Sequence, residues 1–417
     1  MRRRFAPAAI AASTLLALGS TALSAHAAPS TATGSDRAAA VGNYIVVLTD
    51  NATSGSIAAG HDARFGVDVG HVYNAALNGY SAKMTPAVAD LVAQDPAVQW
   101  VQKDTPVKTT AQSTPTGINR SEADVSPTAG INGTDQRVNV DVAVIDTGVD
   151  LTHPDINVYQ AGAKNCSVGA VNANDLNGHG THVAGTIGAI DNGSGVVGMA
   201  PGARVWPVKV LTDAGSGLNS DVICGIDYVT AHADEIEVAN MSLGGAGTDD
   251  GNCGNSNDDA MHTAICSSVA AGITYAVAAG NDSEDAANST PAAYDEVITV
   301  SALADFNGLP GGGAASTCRS DQDDTFASFS NYGAGVDIIA PGVCINSTWM
   351  LGGYNTISGT SMASPHVAGG AALYAANNPA ATPAQVKAAL RSAGSSNWSN
   401  ADDPDGTKEP LLDVSTF

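Results

Sequence analysis

From about Val138 onward, the chain alternates short apolar segments with longer segments of helical pattern, and this alternation constrains the fold more than any other feature. The strand candidates are Val138–Ile145, Arg204–Val210, Val238–Met241, Ile273–Ala278, Val297–Ser301 and Val336–Ile339. The helix candidates are Thr181–Ala189, Ser220–His232, Asp258–Ala271, Ser361–Ala376 and a last helix that begins at Thr382-Pro383. Strands that alternate with helices predict an α/β fold, a doubly wound and mostly parallel sheet with helices on both faces. In such a sheet, ligands bind beyond the carboxyl ends of the strands.

The first 28 residues have the pattern of a signal peptide. Arg2, Arg3 and Arg4 precede an apolar run from Ala8 to Leu18, and Ala25-His26-Ala27 then offers a small-x-small cleavage site. The run is too short for a membrane span. We therefore expect a secreted, extracellular protein.

Residues 36–110 are predicted to form a small α+β domain of their own. Tyr44–Leu48 and Val98–Val101 are strand candidates, and Thr85-Pro86 opens a helical stretch. One face of that helix carries Val88, Leu91 and Val92. The polar segment Lys108–Pro115 follows as an extended linker, a favourable place for proteolytic cleavage.

Charge is distributed unevenly along the 417 residues, which hold 17 basic and 41 acidic side chains. Residues 1–110 carry eight of the basic and seven of the acidic ones, so residues 111–417 are strongly anionic. Such a surface repels phosphate backbones and anionic lipid. We expect no nucleic-acid partner, and no membrane partner once the signal is removed.

The six cysteines of an exported chain are expected to form disulfides. Fifteen pairings are possible, and the sequence does not choose among them. Proximity along the chain favours Cys253–Cys266 and Cys318–Cys344, which leaves Cys166–Cys224. A zinc site is disfavoured because no Cys-x-x-Cys or Cys/His cluster is present.

Three short segments carry an aspartate, a histidine and a serine, in that order along the chain. Asp146 ends the first strand candidate, while His179 and Ser361 stand at the starts of two helices. A serine hydroxyl is a poor nucleophile until an imidazole accepts its proton, and a carboxylate holds that imidazole in the right tautomer. Taken singly, each of these residues could also be a cap or turn residue without a catalytic role.

These segments resemble the signature blocks of the subtilisin-like serine proteases, the subtilases. The matching blocks are Asp146-Thr147-Gly148, His179-Gly180-Thr181-His182 and Gly359-Thr360-Ser361-Met362-Ala363. The resemblance covers residues 111–417 as the peptidase domain, and residues 36–110 resemble the family's inhibitory propeptide. It implies a serine endopeptidase that acts through an acyl-enzyme and is made as an autoprocessed zymogen. Asp146 would orient His179, His179 would act as base and then acid, and Ser361 would attack.

The same resemblance implies further site residues. Asn281, in Ala278-Ala279-Gly280-Asn281, matches the donor to the oxyanion, and the Ser361 N–H is a natural second donor. Glycine-rich edges suit an extended peptide or protein substrate. The expected substrate-binding residues are Gly215, Ser216, Gly217, Ser242, Leu243, Gly244, Ala279 and Gly280. The chain's own propeptide is the expected inhibitor, and we expect a monomer.

A structural calcium ion is also implied by the resemblance, because the loop Ile190–Val196 matches a calcium-binding loop of subtilisins without gaps. Its side-chain oxygens would come from Gln112, Asp155 and Asn192, and its carbonyl oxygens from Ile190, Ser194 and Val196. Alternatively, Asn192-Gly193 is only a turn. No organic cofactor is expected.

Two other functions remain to be weighed. A catalytically inactive subtilase-fold protein that binds peptides is disfavoured because the triad and Asn281 are all present. An esterase of the α/β-hydrolase type requires Gly-x-Ser-x-Gly, whereas Ser361 lies in Gly359-Thr360-Ser361-Met362-Ala363. The order of the acid and the histidine is also wrong for that class.

Overall fold

The computed structural model describes residues 41–105 and 111–417, and these belong to two units that meet in sequence between Lys108 and Thr109. The expected signal peptide, the first residues of the expected propeptide and part of the linker lie outside the described residues. In the described part of the chain, no helix is long and apolar enough to cross a membrane.

The N-terminal unit is a four-stranded antiparallel sheet with two helices. Its elements are β1 (Gly42–Leu48), α1 (Ser54–Phe65), β2 (Asp68–Tyr73), β3 (Gly79–Met84), α2 (Pro86–Val92) and β4 (Val98–Lys103). The strand order is β2-β3-β1-β4. The predicted strands at β1 and β4 and the predicted helix α2 are present, whereas α1, β2 and β3 were not anticipated.

The core of this unit lies between the sheet and its helices. Val46, Tyr80 and Val92 are fully buried there. Leu91, which the sequence places on the same helix face as Val88 and Val92, is nevertheless 47% exposed. In the seven-residue helix α2, the buried side chains are those of Ala89 and Val92.

The C-terminal unit holds the remaining strands and helices. Its strands are β5 (Asp141–Asp146), β6 (Lys164–Asn165), β7 (Arg204–Lys209), β8 (Val238–Met241), β9 (Gly245–Ala246), β10 (Thr274–Ala278), β11 (Ser289–Thr290), β12 (Ile298–Ala304), β13 (Thr325–Phe326), β14 (Ile338–Pro341), β15 (Ile345–Trp349) and β16 (Gly353–Ile357). Its helices are α3 (Thr116–Arg120), α4 (His179–Gly188), α5 (Asn219–Thr230), α6 (Ala260–Ala270), α7 (Thr360–Asn377) and α8 (Pro383–Ala393).

One eight-stranded sheet dominates this unit, in the order β13-β12-β10-β8-β5-β7-β6 with β14 also paired to β12. All of its pairings are parallel except that of β12 with β13. Successive side chains of a strand point to opposite faces, so Val142 and Val144 of β5 join the core under α4 and α7, while Ala143 and Ile145 join the core under α5 and α6. The predicted doubly wound sheet is confirmed.

Three disulfides close loops in this unit. The bonds are Cys166–Cys224, Cys253–Cys266 and Cys318–Cys344, and no described cysteine is free. The pairing favoured by proximity along the chain is therefore present. Near the C-terminus, Leu411 makes isolated pairings with Ile339 and Ser395.

Candidate active site

Asp146 and His179 meet where β5 ends and α4 begins. The Nδ1 atom of His179 lies 2.8 Å from Oδ1 of Asp146, whose side chain is fully buried. Burial lowers the pKa of His179, but the charge and hydrogen bond of Asp146 outweigh it, so the pKa lies above its usual value. In this contact Nδ1 carries the proton toward the carboxylate, and Nε2 is left without a hydrogen-bond partner among the described residues.

Asp175 is a second buried carboxylate, which the sequence analysis did not identify. It stabilises the region where β5 ends and α4 begins. Asp175 accepts hydrogen bonds from the backbone N–H groups of Asn177, Gly178 and Thr181. It also accepts from the hydroxyls of Thr147 and Thr181. The sequence feature that could have identified Asp175 is its position just before a helix start. An acidic side chain there accepts hydrogen bonds from the free N–H groups of the helix.

Ser361 lies in the first turn of α7, after Gly359 at the N-cap. Its hydroxyl donates a long hydrogen bond of 3.4 Å to the carbonyl oxygen of Ser242, and the Ser242 hydroxyl donates to the Ser361 carbonyl at 2.8 Å. Within the described residues, no hydrogen bond joins Ser361 to His179, although both line one cleft. The structure thus brings the serine and the imidazole to a shared cavity without linking them.

Asn281 follows β10 and turns its amide toward the start of α7. Its Oδ1 accepts from the N–H of Thr360 at 2.8 Å and from the Thr360 hydroxyl at 3.0 Å. Both bonds fix the amide orientation, so Nδ2 of this cleft-lining residue is left as a donor without an acceptor among the described residues. That is the arrangement an oxyanion donor needs.

The cleft that contains these groups has a volume of about 770 Å³. Of the expected substrate-binding residues, those that line it are Gly215, Ser216, Gly217, Ser242, Leu243, Gly244 and Gly280. Ala279 does not line it, which corrects that expectation. Its side chain is fully buried and packs with Ala286 and Val336 behind the wall.

Two further histidines, one inside a signature block and one just after another, are buried in the protein. His182 and His366 are fully buried and each bonds a backbone carbonyl, of Ile345 and of Met362 respectively. Burial lowers the pKa of His182 to about 3 and that of His366 to about 4. Both rings are therefore neutral, and neither lines the cleft.

The predicted calcium loop surrounds Asp155, whose side chain is only 2% exposed. Asp155 accepts from the Asn192 amide at 2.9 Å, from the Val196 N–H at 3.0 Å and from the Tyr354 hydroxyl at 3.2 Å. Gln112 Oε1 accepts from two N–H groups of the same loop. The six predicted ligand residues are therefore brought to one place.

The donor set fits a hard cation. The carbonyl oxygens of Ile190, Ser194 and Val196 accept no hydrogen bond from the described residues, and no described lysine or arginine pairs with Asp155. Oxygen atoms alone, from carboxylate, amide and carbonyl groups, are what calcium prefers. Asp191 was missed by the sequence reading; it braces the loop by accepting from the Gln112 amide at 2.7 Å and from two backbone N–H groups.

Comparison with known proteins decides the family. The model of the subtilase family matches residues 137–407, which include Asp146, His179 and Ser361. The chain belongs to the subtilase family. The model of the peptidase inhibitor I9 domain matches residues 43–110 of this subtilase, so its N-terminal unit is an inhibitor-type propeptide domain.

Curated relatives agree over most of the chain. An alkaline protease of Alkalihalobacillus alcalophilus is 38% identical over 316 residues, covering 76% of this chain and 74% of that protein. An extracellular serine proteinase of Thermus sp. (strain Rt41A) is 39% identical over 330 residues, which cover 78% of this chain and 73% of that protein. Subtilisin E of Bacillus subtilis (strain 168) is 38% identical over 319 residues, which cover 76% of this chain and 75% of that protein.

A solved structure supports the same fold. The crystal structure of a cold adapted subtilisin-like serine proteinase matches with a TM-score of 0.52 at 35% identity. It covers 69% of this chain and 97% of that one. The subtilase described here is thus a subtilisin-like serine protease with an I9 propeptide domain.

Proposed function

We propose that this subtilase is a secreted serine endopeptidase, made as an autoprocessed zymogen, whose triad is Asp146, His179 and Ser361. The observation that carries the proposal is the 2.8 Å contact between Asp146 and His179 at the edge of a cleft that Ser361 also lines. The Thermus relative is named an extracellular proteinase, which supports secretion.

Catalysis begins when the Ser361 hydroxyl gives up its long bond to Ser242 and donates instead to Nε2 of His179. Nε2 then accepts the proton as Oγ attacks the carbonyl carbon of the scissile peptide bond. The positive imidazolium is stabilised by Asp146, and its proton passes to the leaving amine. Water repeats the sequence on the acyl-enzyme.

The developing oxyanion is bound by two donors. Asn281 Nδ2 is left as a donor by the bonds of Oδ1 to Thr360, and the Ser361 N–H lies in the first turn of α7. Both donors are in place before the reaction, so no reorganisation is required as charge develops. The substrate backbone lies along Gly215–Gly217 on one side and Ser242–Gly244 on the other.

Zymogen control follows from the I9 domain. Residues 36–110 inhibit the peptidase until cleavage near Thr110–Ala111 releases them. The separately produced segment is expected to inhibit the mature enzyme in trans. A segment that neither inhibits nor assists refolding would be only a spacer.

A structural calcium ion is held by Gln112, Asp155 and Asn192 with the carbonyls of Ile190, Ser194 and Val196. When bound, the ion would supply positive charge beside the buried Asp155 carboxylate and would tie Gln112, which follows the cleavage site, to the Ile190–Val196 loop. It takes no part in the chemistry of Ser361.

The decisive experiment replaces the nucleophile. Ser361→Ala is expected to lower casein hydrolysis by about 10⁶ while secretion of the precursor and its far-UV spectrum are unchanged. Labelling of the wild type by a serine-directed covalent inhibitor, absent in Ser361→Ala, excludes the inactive peptide-binding alternative. Caseinolysis by Ser361→Ala near the wild-type rate would contradict the proposal.

A further inference from the structure

His262, in the first turn of α6, is a buried histidine that does not line the cleft and that faces three carboxylates. Its Nε2 atom lies 2.9 Å from Oε2 of Glu296. On the other side of the ring, its Nδ1 atom lies 3.5 Å from Oδ1 of Asp249 and 3.3 Å from Oδ1 of Asp250. The two aspartates follow β9 and the glutamate precedes β12, so the fold brings three separate segments to one imidazole.

The contact with Glu296 decides which ring nitrogen carries the proton. An ionised carboxylate only accepts hydrogen bonds, so Nε2 is the donor and Nδ1 of the neutral ring presents a lone pair. Nδ1 is buried and has no hydrogen-bond partner among the described residues. No described lysine or arginine lies within 4.0 Å of the three carboxylates. A lone pair that faces two carboxylate oxygens at this distance requires a positive charge between them.

The groups around Nδ1 are held in place by a second layer of contacts. The ring of His262 stacks on Tyr294, with centroids 4.0 Å apart and planes 3° from parallel. Oδ1 of Asp249 accepts from the Gly251 N–H at 2.6 Å, and Oδ1 of Asp250 accepts from two other backbone N–H groups of the same loop. Metal ligands in proteins are held in this way, and a histidine ligand typically donates its other N–H to a carboxylate.

We propose that His262, Asp249 and Asp250 bind a zinc ion through Nδ1 and the two Oδ1 atoms. These residues offer ligand atoms within 4.8 Å of one another. Tetrahedral zinc, with bonds of about 2.0–2.2 Å, separates neighbouring ligand atoms by about 3.3–3.6 Å. The two distances from Nδ1, 3.3 and 3.5 Å, match that spacing. An imidazole ligand suits zinc, whereas calcium and magnesium take oxygen ligands.

The position of the ion gives it a structural role. It would join the loop after β9 to α6. Strand β9 continues the expected substrate edge Ser242–Gly244 and pairs with β11, and both strands line the cleft. Zinc is therefore expected to brace this wall of the cleft without contacting Ser361.

The competing account is that a proton, rather than a metal ion, supplies the positive charge at Nδ1. An imidazolium would satisfy the same carboxylates and would need no zinc. The two accounts differ in whether removal of an aspartate changes zinc binding. Asp258 supplies a matched control, since it is exposed and carries the same charge in the same loop.

The test is zinc titration by calorimetry of the metal-free full-length chain in excess calcium, which occupies oxygen-only sites. The parent carries His179→Ala, which prevents self-digestion and removes the catalytic imidazole as a competing ligand. Asp249→Asn and His262→Gln are expected to bind one zinc ion fewer than this parent, and Asp258→Asn the same number. Asp249 is only partly buried, so Asp249→Asn remains informative if His262→Gln does not fold. Equal stoichiometry in the parent and in Asp249→Asn would overturn the proposal in favour of an imidazolium.

Glu296→Gln tests the second layer, because Glu296 contacts the imidazole and is not a proposed ligand. Zinc should still bind to this variant in the parental number, with an affinity lowered by about 10–100-fold. An affinity equal to that of the parent would contradict the proposed role of His262 as a ligand.

Cobalt(II) reports the coordination of the ion independently of stoichiometry. A four-coordinate cobalt ion at this site is expected to absorb strongly in the visible range, and added zinc should abolish the bands. The absorption should be lost in Asp249→Asn and retained in Asp258→Asn. No such absorption in the parent, or parental absorption in Asp249→Asn, would overturn the assignment. Neither metal readout depends on proteolysis, so the proposed activity and this proposal can fail separately.

Discussion

Asp175, beside the cleft, accepts five hydrogen bonds from N–H and hydroxyl groups, whereas Glu409, in the C-terminal loop, accepts none from the described residues. Both side chains are almost fully buried. The chain around Asp175 is wound so that three backbone donors converge on the carboxylate. Around Glu409, no such donors reach the two carboxylate oxygens among the described residues.

Asp337 is a buried carboxylate of a third kind, because a lysine of the protein neutralises its charge. The Lys387 ammonium lies 2.7 Å from Asp337 and also donates to the carbonyl oxygens of Asp295 and Val297. Buried carboxylates in this protein are thus held by N–H donors, by an internal ammonium or, as we propose, by calcium. The following substitutions test whether these three classes behave differently.

The largest effect is expected at Asp146, whose partner is the imidazole itself. Asp146→Asn should lower kcat by about 10⁴ because the amide favours the wrong tautomer of His179. Activity of the wild type is lost as pH falls through the raised pKa of His179, since a protonated imidazole accepts no proton. Removing the charge lowers that pKa, so the acid limb of kcat against pH should move to lower pH. An unmoved acid limb would mean that another group sets it.

Asp175 tests the class held by N–H donors. Asp175→Asn replaces an acceptor oxygen with a donor and should cost about 3 kcal/mol in the free energy of unfolding, because charged hydrogen bonds are lost inside the protein. Urea unfolding of the inactive Ser361→Ala chain measures it. The exposed Asp282→Asn is the control, and equal stability of the two variants would contradict a structural role for Asp175.

Asp155 tests the calcium class. Bound calcium should stabilise the mature enzyme by about 2.7 kcal/mol at a hundredfold excess over Kd. Chelation should lower Tm in the wild type, and Asp155→Ala should remove that part of the response. Sodium chloride at matched ionic strength is the control, because diffuse screening of the acidic surface responds to any salt. A chelator response unchanged by Asp155→Ala would leave the Ile190–Val196 loop as an ordinary turn.

Lys387 tests the internal cation, and here the smallest effect is expected. Lys387→Met should cost about 1 kcal/mol, because the ammonium is partly exposed and Arg391 remains 3.4 Å from the same carboxylate. Thermal unfolding measures the loss, with Arg391→Met as control. If Arg391→Met were the more damaging change, the longer contact would be the effective partner of Asp337.

Secondary structure followed from the sequence where a strand is buried on both faces or where a helix begins with a recognisable cap. β8 has the predicted bounds Val238–Met241, and the predicted N-cap of α8 at Thr382 forms a capping box with Gln385. At α2 the apolar periodicity did not predict burial, because Leu91 shares the apolar helix face but is largely exposed.

Some features of the candidate site were also predicted from the sequence, whereas others were visible only in the structure. The signature blocks identify Asp146, His179, Ser361 and Asn281, but the orientation of the Ser361 hydroxyl toward Ser242 depends on a chain segment 119 residues away. Ala279 belongs to a matching block and is nevertheless turned away from the cleft. Asp175 went unnoticed because its donors come from the turn that it stabilises and from Thr147.

The sequence by itself determined the alternation of strands and helices, the order of the catalytic blocks and the acidic character of residues 111–417, since all three are local or additive properties. Only the tertiary structure decided which carboxylates are satisfied. Asp403 and Glu409 lie in an acidic, polar stretch of the sequence, yet both side chains are buried. Burial and hydrogen-bond satisfaction are set by contacts between distant segments, and those contacts exist only once the chain has folded.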